Sequence, residues 1–160
     1  MQKQMEVNKV KKIRKQEIKI KVVKDKSYRQ KAFDSICYLS KIMRADRDWM
    51  VIQIDTGNRV HWSECVGGHI FPKGNYGHIA TFLDNVWPIS VYCNRKQLDS
   101  IGYNWWKKTP LSEDRLNALQ ELADNKILKN WLRDEMYWRN EYERLQIRIK
   151  EEEERLGIIQ

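Results

Sequence analysis

The sequence predicts an α+β protein, and three observations carry that expectation. Across residues 27–48 the apolar positions Phe33, Ile36, Cys37, Leu39, Ile42 and Met43 recur at helical spacing with no Gly or Pro between them. Trp49-Met50-Val51-Ile52-Gln53-Ile54 then forms a β-rich run, followed by Gly57-Asn58 and by the alternating residues Val60, Trp62 and Val66. Two such runs around a glycine-containing turn predict a hairpin. Past residue 109 the helical period returns, with Leu116, Leu119, Leu122 and Ala123 on one face. Two C-terminal helices are therefore expected, the last one long.

Charge divides the chain before any of these elements begins. The 160 residues carry 30 Lys plus Arg against 22 Asp plus Glu. Residues 1–32 hold twelve of those cations and three acids, a net of +9, which leaves −1 for the rest. The division reads as a basic arm over 1–26, a central domain over 27–108 and a helical extension over 109–160. An arm of this charge is attracted to polyanions, with Lys11, Lys12, Arg14, Lys15, Lys19 and Lys21 as candidate phosphate contacts. The bland alternative is a solvated tail. Ile18-Lys19-Ile20-Lys21-Val22 alternates like a half-buried strand, so part of the arm is expected to be ordered.

Other classes lose support from the same inventory. No stretch approaches the roughly 20 apolar residues of a membrane span, and the basic N-terminus has no apolar run behind it, so neither a membrane anchor nor a secretory leader is expected. Cys37, Cys65 and Cys93 are odd in number and widely spaced, which does not suit a disulfide framework and favours a reducing compartment. Seven Trp and seven Tyr suffice for a core. A Walker-type phosphate loop and a Ser-His-Asp pattern are both missing from the sequence, so nucleotide hydrolysis and acyl transfer have no support.

In the centre of the chain, Gly67-Gly68 is expected to end the hairpin. Residues 70–83, with Pro72, Gly74, Asn75 and Gly77, read as a loop of the kind that carries function on a rigid scaffold. A short apolar stretch follows Pro88, and Cys93-Asn94-Arg95-Lys96-Gln97-Leu98 is polar enough to open a short helix that Gly102 stops. Thr109-Pro110 signals the next helix start. Asp124-Asn125 interrupts that helix. Over 127–156 the residues Leu128, Trp131, Trp138, Tyr142, Leu145, Ile149 and Leu156 make a seam for a long helix, which either lies on its own domain or pairs with a second copy as a homodimer.

Hydrolysis of a phosphodiester needs a base for water, a cation at the leaving oxygen and a group that orients the base. A His at a strand end, an Asn in the crossing loop and an Asn opening the next helix would supply them from one small ββα unit. His69, Asn85 and Asn94 stand in that order. A single His is more often packed than catalytic; the ordered set behind a cationic arm is harder to attribute to accident.

At these residues the sequence resembles the HNH, or ββα-metal, nucleases, whose pattern runs roughly GH-I-x-P, then Asn, then C-x-x-C-[HN]-x-x-K. Within that class it is similar to the NinG branch of lambdoid phage recombination proteins. The matching segments are Phe33-Asp34-Ser35, Arg44-Ala45-Asp46, Gly57 through His61-Trp62, Gly68-His69-Ile70, Phe82-Leu83-Asp84-Asn85-Val86 and Cys93-Asn94-Arg95, in order across about residues 28–135. The resemblance implies a small ββα-metal core with a hairpin, flanked by helices. It makes His69 the general base, Asn85 the residue that orients it, and Asn94 a ligand for Mg²⁺ or another divalent cation. It also puts Arg95 and Lys96, together with Lys73, against the nucleic acid. The implied substrate is DNA, branched DNA included, and the implied setting is the cytoplasm of a phage-infected host.

The departures from that family bear on stability and on activity. Relatives bind a structural zinc through four cysteines; here those positions are Gln53, Thr56, Ser90 and Cys93. A tetrahedral zinc needs four ligands, so no zinc knuckle is expected. A substitute site from Cys65, His69 and Cys93 would consume the base. Packing of Trp49, Ile52, Ile54, Trp62, Val86, Trp87, Ile89 and Val91 is expected to replace the metal's contribution. Gly68 stands where many HNH enzymes have a metal-binding Asp, and Trp87 where many relatives are polar. The alternative is therefore a silent relative that binds nucleic acid or a nucleoprotein complex, as a virion component or an inhibitor of a host system, without cutting.

Overall fold

The computed structural model describes residues 25–97 and 109–158, without the side chains of residues 96 and 97. The arm lysines and arginine, the alternating run 18–22 and the helix stop at Gly102 lie outside the described residues.

The described architecture is α+β. Helix α1 (Tyr28–Ile42) starts where the Ser27 side chain accepts the Gln30 N–H, a normal N-cap. It ends six residues earlier than the apolar period suggests. The Asp46 carboxylate accepts the N–H groups of Asp48 and Met50 and turns the chain into β1 (Met50–Ile52). Strand β1 pairs antiparallel with β2 (Arg59–His61) around Gly57, whose φ of +73° favours a residue without a Cβ. Trp49 just before β1 also has positive φ, +62°. Its indole N–H donates to the Leu156 carbonyl at 2.8 Å and ties this turn to the far end of the chain.

The hairpin is shorter than expected, and Val66 is not in it. A 3₁₀ turn at Trp62–Glu64 redirects the chain, and Val66 opens β3 (Val66–His69), which pairs antiparallel with β4 (Val86–Ile89). Gly67 and Gly68 therefore lie inside a strand and end nothing. A Cβ on Gly67 would strike the Cys37 carbonyl and come within 2.6 Å of the Cys37 Cα, and one on Gly68 would overlap the Ile89 side chain. Gly67 lets α1 lie directly on the strand, and Gly68 makes room for Ile89 of β4. The two sheets are joined by the Ile54 N–H, which donates to Pro88 O.

Between β3 and β4 the 70–85 segment carries two 3₁₀ turns, Gly77–Ile79 and Leu83–Asn85. A π-helical turn, Cys93–Gln97, follows β4. Helix α2 (Glu113–Asp124) is capped by Ser112, not by Thr109: the Ser112 hydroxyl accepts the Arg115 N–H. The seam over 127–156 is not one helix. Asn125 caps a short α3 (Lys126–Asn130), and Asp134 caps α4 (Glu135–Leu156) by accepting the Tyr137 N–H. Between them the Arg133 guanidinium donates to the carbonyls of Trp131 and Leu128, holding the break.

Helix α4 runs parallel to α1 and in contact with it: Tyr28 meets Tyr142, Ser35 meets Gln146, Tyr38 meets Glu153 and Ile42 meets Arg155. Trp138, Leu145, Ile149 and Leu156 join Ala32, Phe33, Ile36 and Leu39 in one core. The segment read as an extension thus completes the core of the central domain, and most of its seam is used within the chain. A second core gathers Ile70, Phe71, Ile79, Ile89, Leu116 and Leu119 under the long loop. Among the described residues no helix is long and apolar enough to cross a membrane.

Candidate active site

His69 is the last residue of β3, Asn85 ends the second 3₁₀ turn, and Asn94 is the second residue of the π-helical turn. The antiparallel β3–β4 pair carries the chain from the first to the third across the 70–85 loop. His69 and Asn94 line one cleft of about 350 Å³, together with Cys37, Gly67, Pro72, Lys73 and Gly74. Trp87 and Phe71 do not line it. The Trp87 indole donates to Asp84 O and lies between the guanidinium groups of Arg44 and Arg115, and Phe71 is buried against Tyr76.

His69 is 8% exposed. Its Nε2 lies 2.9 Å from Ala80 O; a carbonyl only accepts, so Nε2 carries the proton and the neutral ring's lone pair is on Nδ1. Among the described residues Nδ1 has no hydrogen-bond partner. Burial pushes the imidazole down to about 4, the Ala80 bond opposes that, and the Lys73 ammonium adds to it. The ring is therefore neutral at neutral pH, with its basic nitrogen unengaged.

Asn85 does not touch His69. It is completely buried, its Oδ1 accepts the Phe71 N–H at 2.8 Å, and its Nδ2 donates to Phe71 O and Ile79 O. It fixes both ends of the loop, and Ile79 adjoins the Ala80 carbonyl that holds His69. Its side-chain bonds all go to the loop backbone. Arg44, in the turn just past α1, also braces this region, donating to Ser40 O, Val86 O and Leu83 O, with burial lowering its guanidinium to about 10. The Arg44-Ala45-Asp46 segment gave a signal for it, but its role as a strut was not readable. Cys37 at the cleft wall carried no signal; burial raises its thiol to about 11, so it is an inert wall at neutral pH.

Lys73 and Arg95 are exposed, Lys73 on the cleft and Arg95 on the π-helical turn. Lys96 is in the same turn, with its side chain outside the described residues. A larger shallow depression of about 650 Å³ lies over Lys126, Ile127, Asn130 and Trp131. It offers an ammonium and a carboxamide on apolar surface, and no base.

Gln53, Thr56, Ser90 and Cys93 are linked in two pairs by hydrogen bonds, with Asp55 joining the loop of the first pair to the second. The Thr56 hydroxyl donates to Gln53 Oε1, the Ser90 N–H and hydroxyl both donate to the Asp55 carboxylate, and the Cys93 N–H donates to Ser90 Oγ. Of the apolar residues expected to take the metal's place, Ile54, Val86 and Ile89 are buried and Trp62 and Trp87 pack against the two cores, whereas Trp49, Ile52 and Val91 are exposed; the Asp55 carboxylate in the hairpin loop adds a polar link to Ser90, just past β4. Cys65 is apart from this network, its thiol facing Trp62 O. Among the described residues no three His, Cys, Asp or Glu side chains are grouped to hold a metal.

For a divalent cation the cleft offers the Asn94 carboxamide and one imidazole nitrogen, with no carboxylate lining it and the Lys73 ammonium beside it. That set is too weak to hold a hard cation by itself, and fits one that arrives with its coordination completed by water and phosphate oxygens.

No family model matches the chain, and no curated protein or solved structure is significantly similar to it.

Proposed function

We propose that the protein is an HNH-type endonuclease that hydrolyses phosphodiesters in DNA, with the β3–β4 pair and the following turn as its ββα-metal core. The observation that supports this most is the convergence of His69 and Asn94 on one cleft, with the imidazole tied through Nε2 to Ala80 O and Nδ1 unengaged.

In this reading His69 Nδ1 takes a proton from the water that attacks phosphorus. One P–O bond forms, the bond to the leaving sugar oxygen breaks, and that oxygen takes a proton from solvent. Asn94 would hold the phosphate's cation in place, and a Mg²⁺ ion bound there would supply Lewis-acid stabilisation of the leaving oxygen. Lys73 offsets phosphate charge at the cleft mouth. Asn85 keeps the 70–82 loop, and with it the Ala80 carbonyl, in position.

The carboxylate-free lining favours one other reading, a relative that occupies nucleic acid through the same cleft without cutting it. Incubation of the full chain with linear and branched DNA in Mg²⁺ or Mn²⁺ separates the two. Cleavage that disappears in His69→Ala supports the nuclease. Cleavage that survives in His69→Ala, or none in the wild type under either metal, removes it.

A further inference from the structure

Two cations sit beside the cleft on a shared aromatic surface. The Arg29 guanidinium carbon is 5.3 Å from the Phe33 ring centroid and the Lys73 Nζ is 5.6 Å from it. Phe33 in turn meets the His69 ring edge-on, with centroids 6.5 Å apart. Arg29 also lies over Trp138, at 5.6 Å, and against the loop backbone, where a Cβ on Gly77 would come within 3.2 Å of its Nη2. One guanidinium therefore touches α1, α4 and the functional loop at once.

Neither cation makes an ion pair among the described residues, although each is exposed. The neighbouring acids are committed elsewhere: Asp34, whose carboxyl feels the Lys73 field, pairs with Lys26 at 2.6 Å. Arg139, which lies over Tyr28 on the same side, pairs with Glu143. A ring face holds a cation weakly and leaves its charge uncancelled, so Arg29 and Lys73 keep theirs for an external anion. In sequence the basic arm, residues 1–26, directly precedes the Ser27 cap of α1.

We propose that Arg29 and Lys73, seated together on Phe33, form a phosphate seat that receives the DNA backbone phosphates adjoining the one attacked at His69. This rests on the nucleic-acid reading above and adds Arg29 as a substrate-positioning residue.

The test is equilibrium binding of short fluorescein-labelled DNA to the full chain in EDTA, where cleavage does not interfere, over a range of salt concentrations. Each phosphate contact contributes about 0.7–0.9 to the slope of log affinity against log salt. Arg29→Gln and Lys73→Gln are each expected to lower that slope by about one contact, and the double variant by about two. Lys150→Gln, an exposed cation in the distal half of α4, is expected to leave it unchanged. A double variant with the wild-type slope overturns the seat, as does an equal fall in Lys150→Gln. The metal-dependent cleavage assay is read separately: a lowered slope without cleavage keeps the seat and removes the nuclease, and cleavage with an unchanged slope does the reverse.

Discussion

Asn85 grips Phe71 by both halves of its backbone, accepting its N–H at 2.8 Å and donating to its carbonyl at 3.2 Å. A third bond, to Ile79 O, closes the loop over a side chain with no solvent access. Asn85→Ala would remove three buried hydrogen bonds at once, and a buried group left unsatisfied costs about 1–3 kcal/mol, although Ile79 O keeps the Phe82 N–H. The expected loss is about 2–4 kcal/mol in urea unfolding, with cleavage falling alongside because the Ala80 carbonyl is no longer fixed. Wild-type stability in this variant would show that the loop holds itself.

His69 makes stability depend on pH in a definite direction. Its imidazole is lowered from 6.5 to about 4 by burial, so the unfolded chain takes up its proton first as pH falls. Stability attributable to this group is intact above pH 6.5, declines between 6.5 and about 4, and is level below that, a total of about 3 kcal/mol at most. His69→Gln is expected to flatten that part of the unfolding profile. An unchanged slope would mean that other groups set the acid response.

The Asp55 staple is expected to replace a metal. Asp55→Ala removes the acceptor for the Ser90 N–H and hydroxyl and should cost about 1–3 kcal/mol. Treatment of the wild type with a zinc chelator should leave its melting temperature unchanged, and elemental analysis should find no stoichiometric zinc. A chelator-sensitive melt would overturn this account.

Gly68 and Ile89 are coupled by the overlap that any Cβ at 68 would create. Gly68→Ala alone should destabilise by about 2 kcal/mol or more. In combination with Ile89→Ala the cost should be well below the sum of the two single costs, because the truncated side chain leaves room for the new methyl. Strict additivity in that cycle would contradict the packing of β3 on β4.

Deletion of residues 1–26 removes ten cations and three acids. DNA affinity is expected to fall strongly and its salt slope to flatten by the number of phosphates those residues meet. An affinity equal to that of the full chain would exclude the arm as an anchor.

Much of the scaffold was legible because local periodicity records which face of an element is apolar. Phe33, Ile36, Leu39 and Ile42 at helical spacing meant α1, and Leu116 and Leu119 meant α2. The break between α3 and α4 was missed because Trp131 keeps the seam in register while Arg133 and Asp134 stop the backbone. Val66 reads as part of the hairpin and Gly67-Gly68 as its end for a related reason: glycine in a strand looks like a terminator until the neighbour that needs the space is known, α1 at Gly67 and Ile89 at Gly68.

The sequence by itself determined the α+β class, the basic arm and the order His69, Asn85, Asn94, because composition and spacing are properties of the chain. Only the tertiary structure decided that α4 lies parallel on α1, that Asn85 acts on the loop and not on the imidazole, and that Arg29 stands on Phe33 beside the cleft. Each of these joins residues from distant parts of the chain through packing and hydrogen-bond direction, which depend on three-dimensional approach and leave no periodic trace along the backbone.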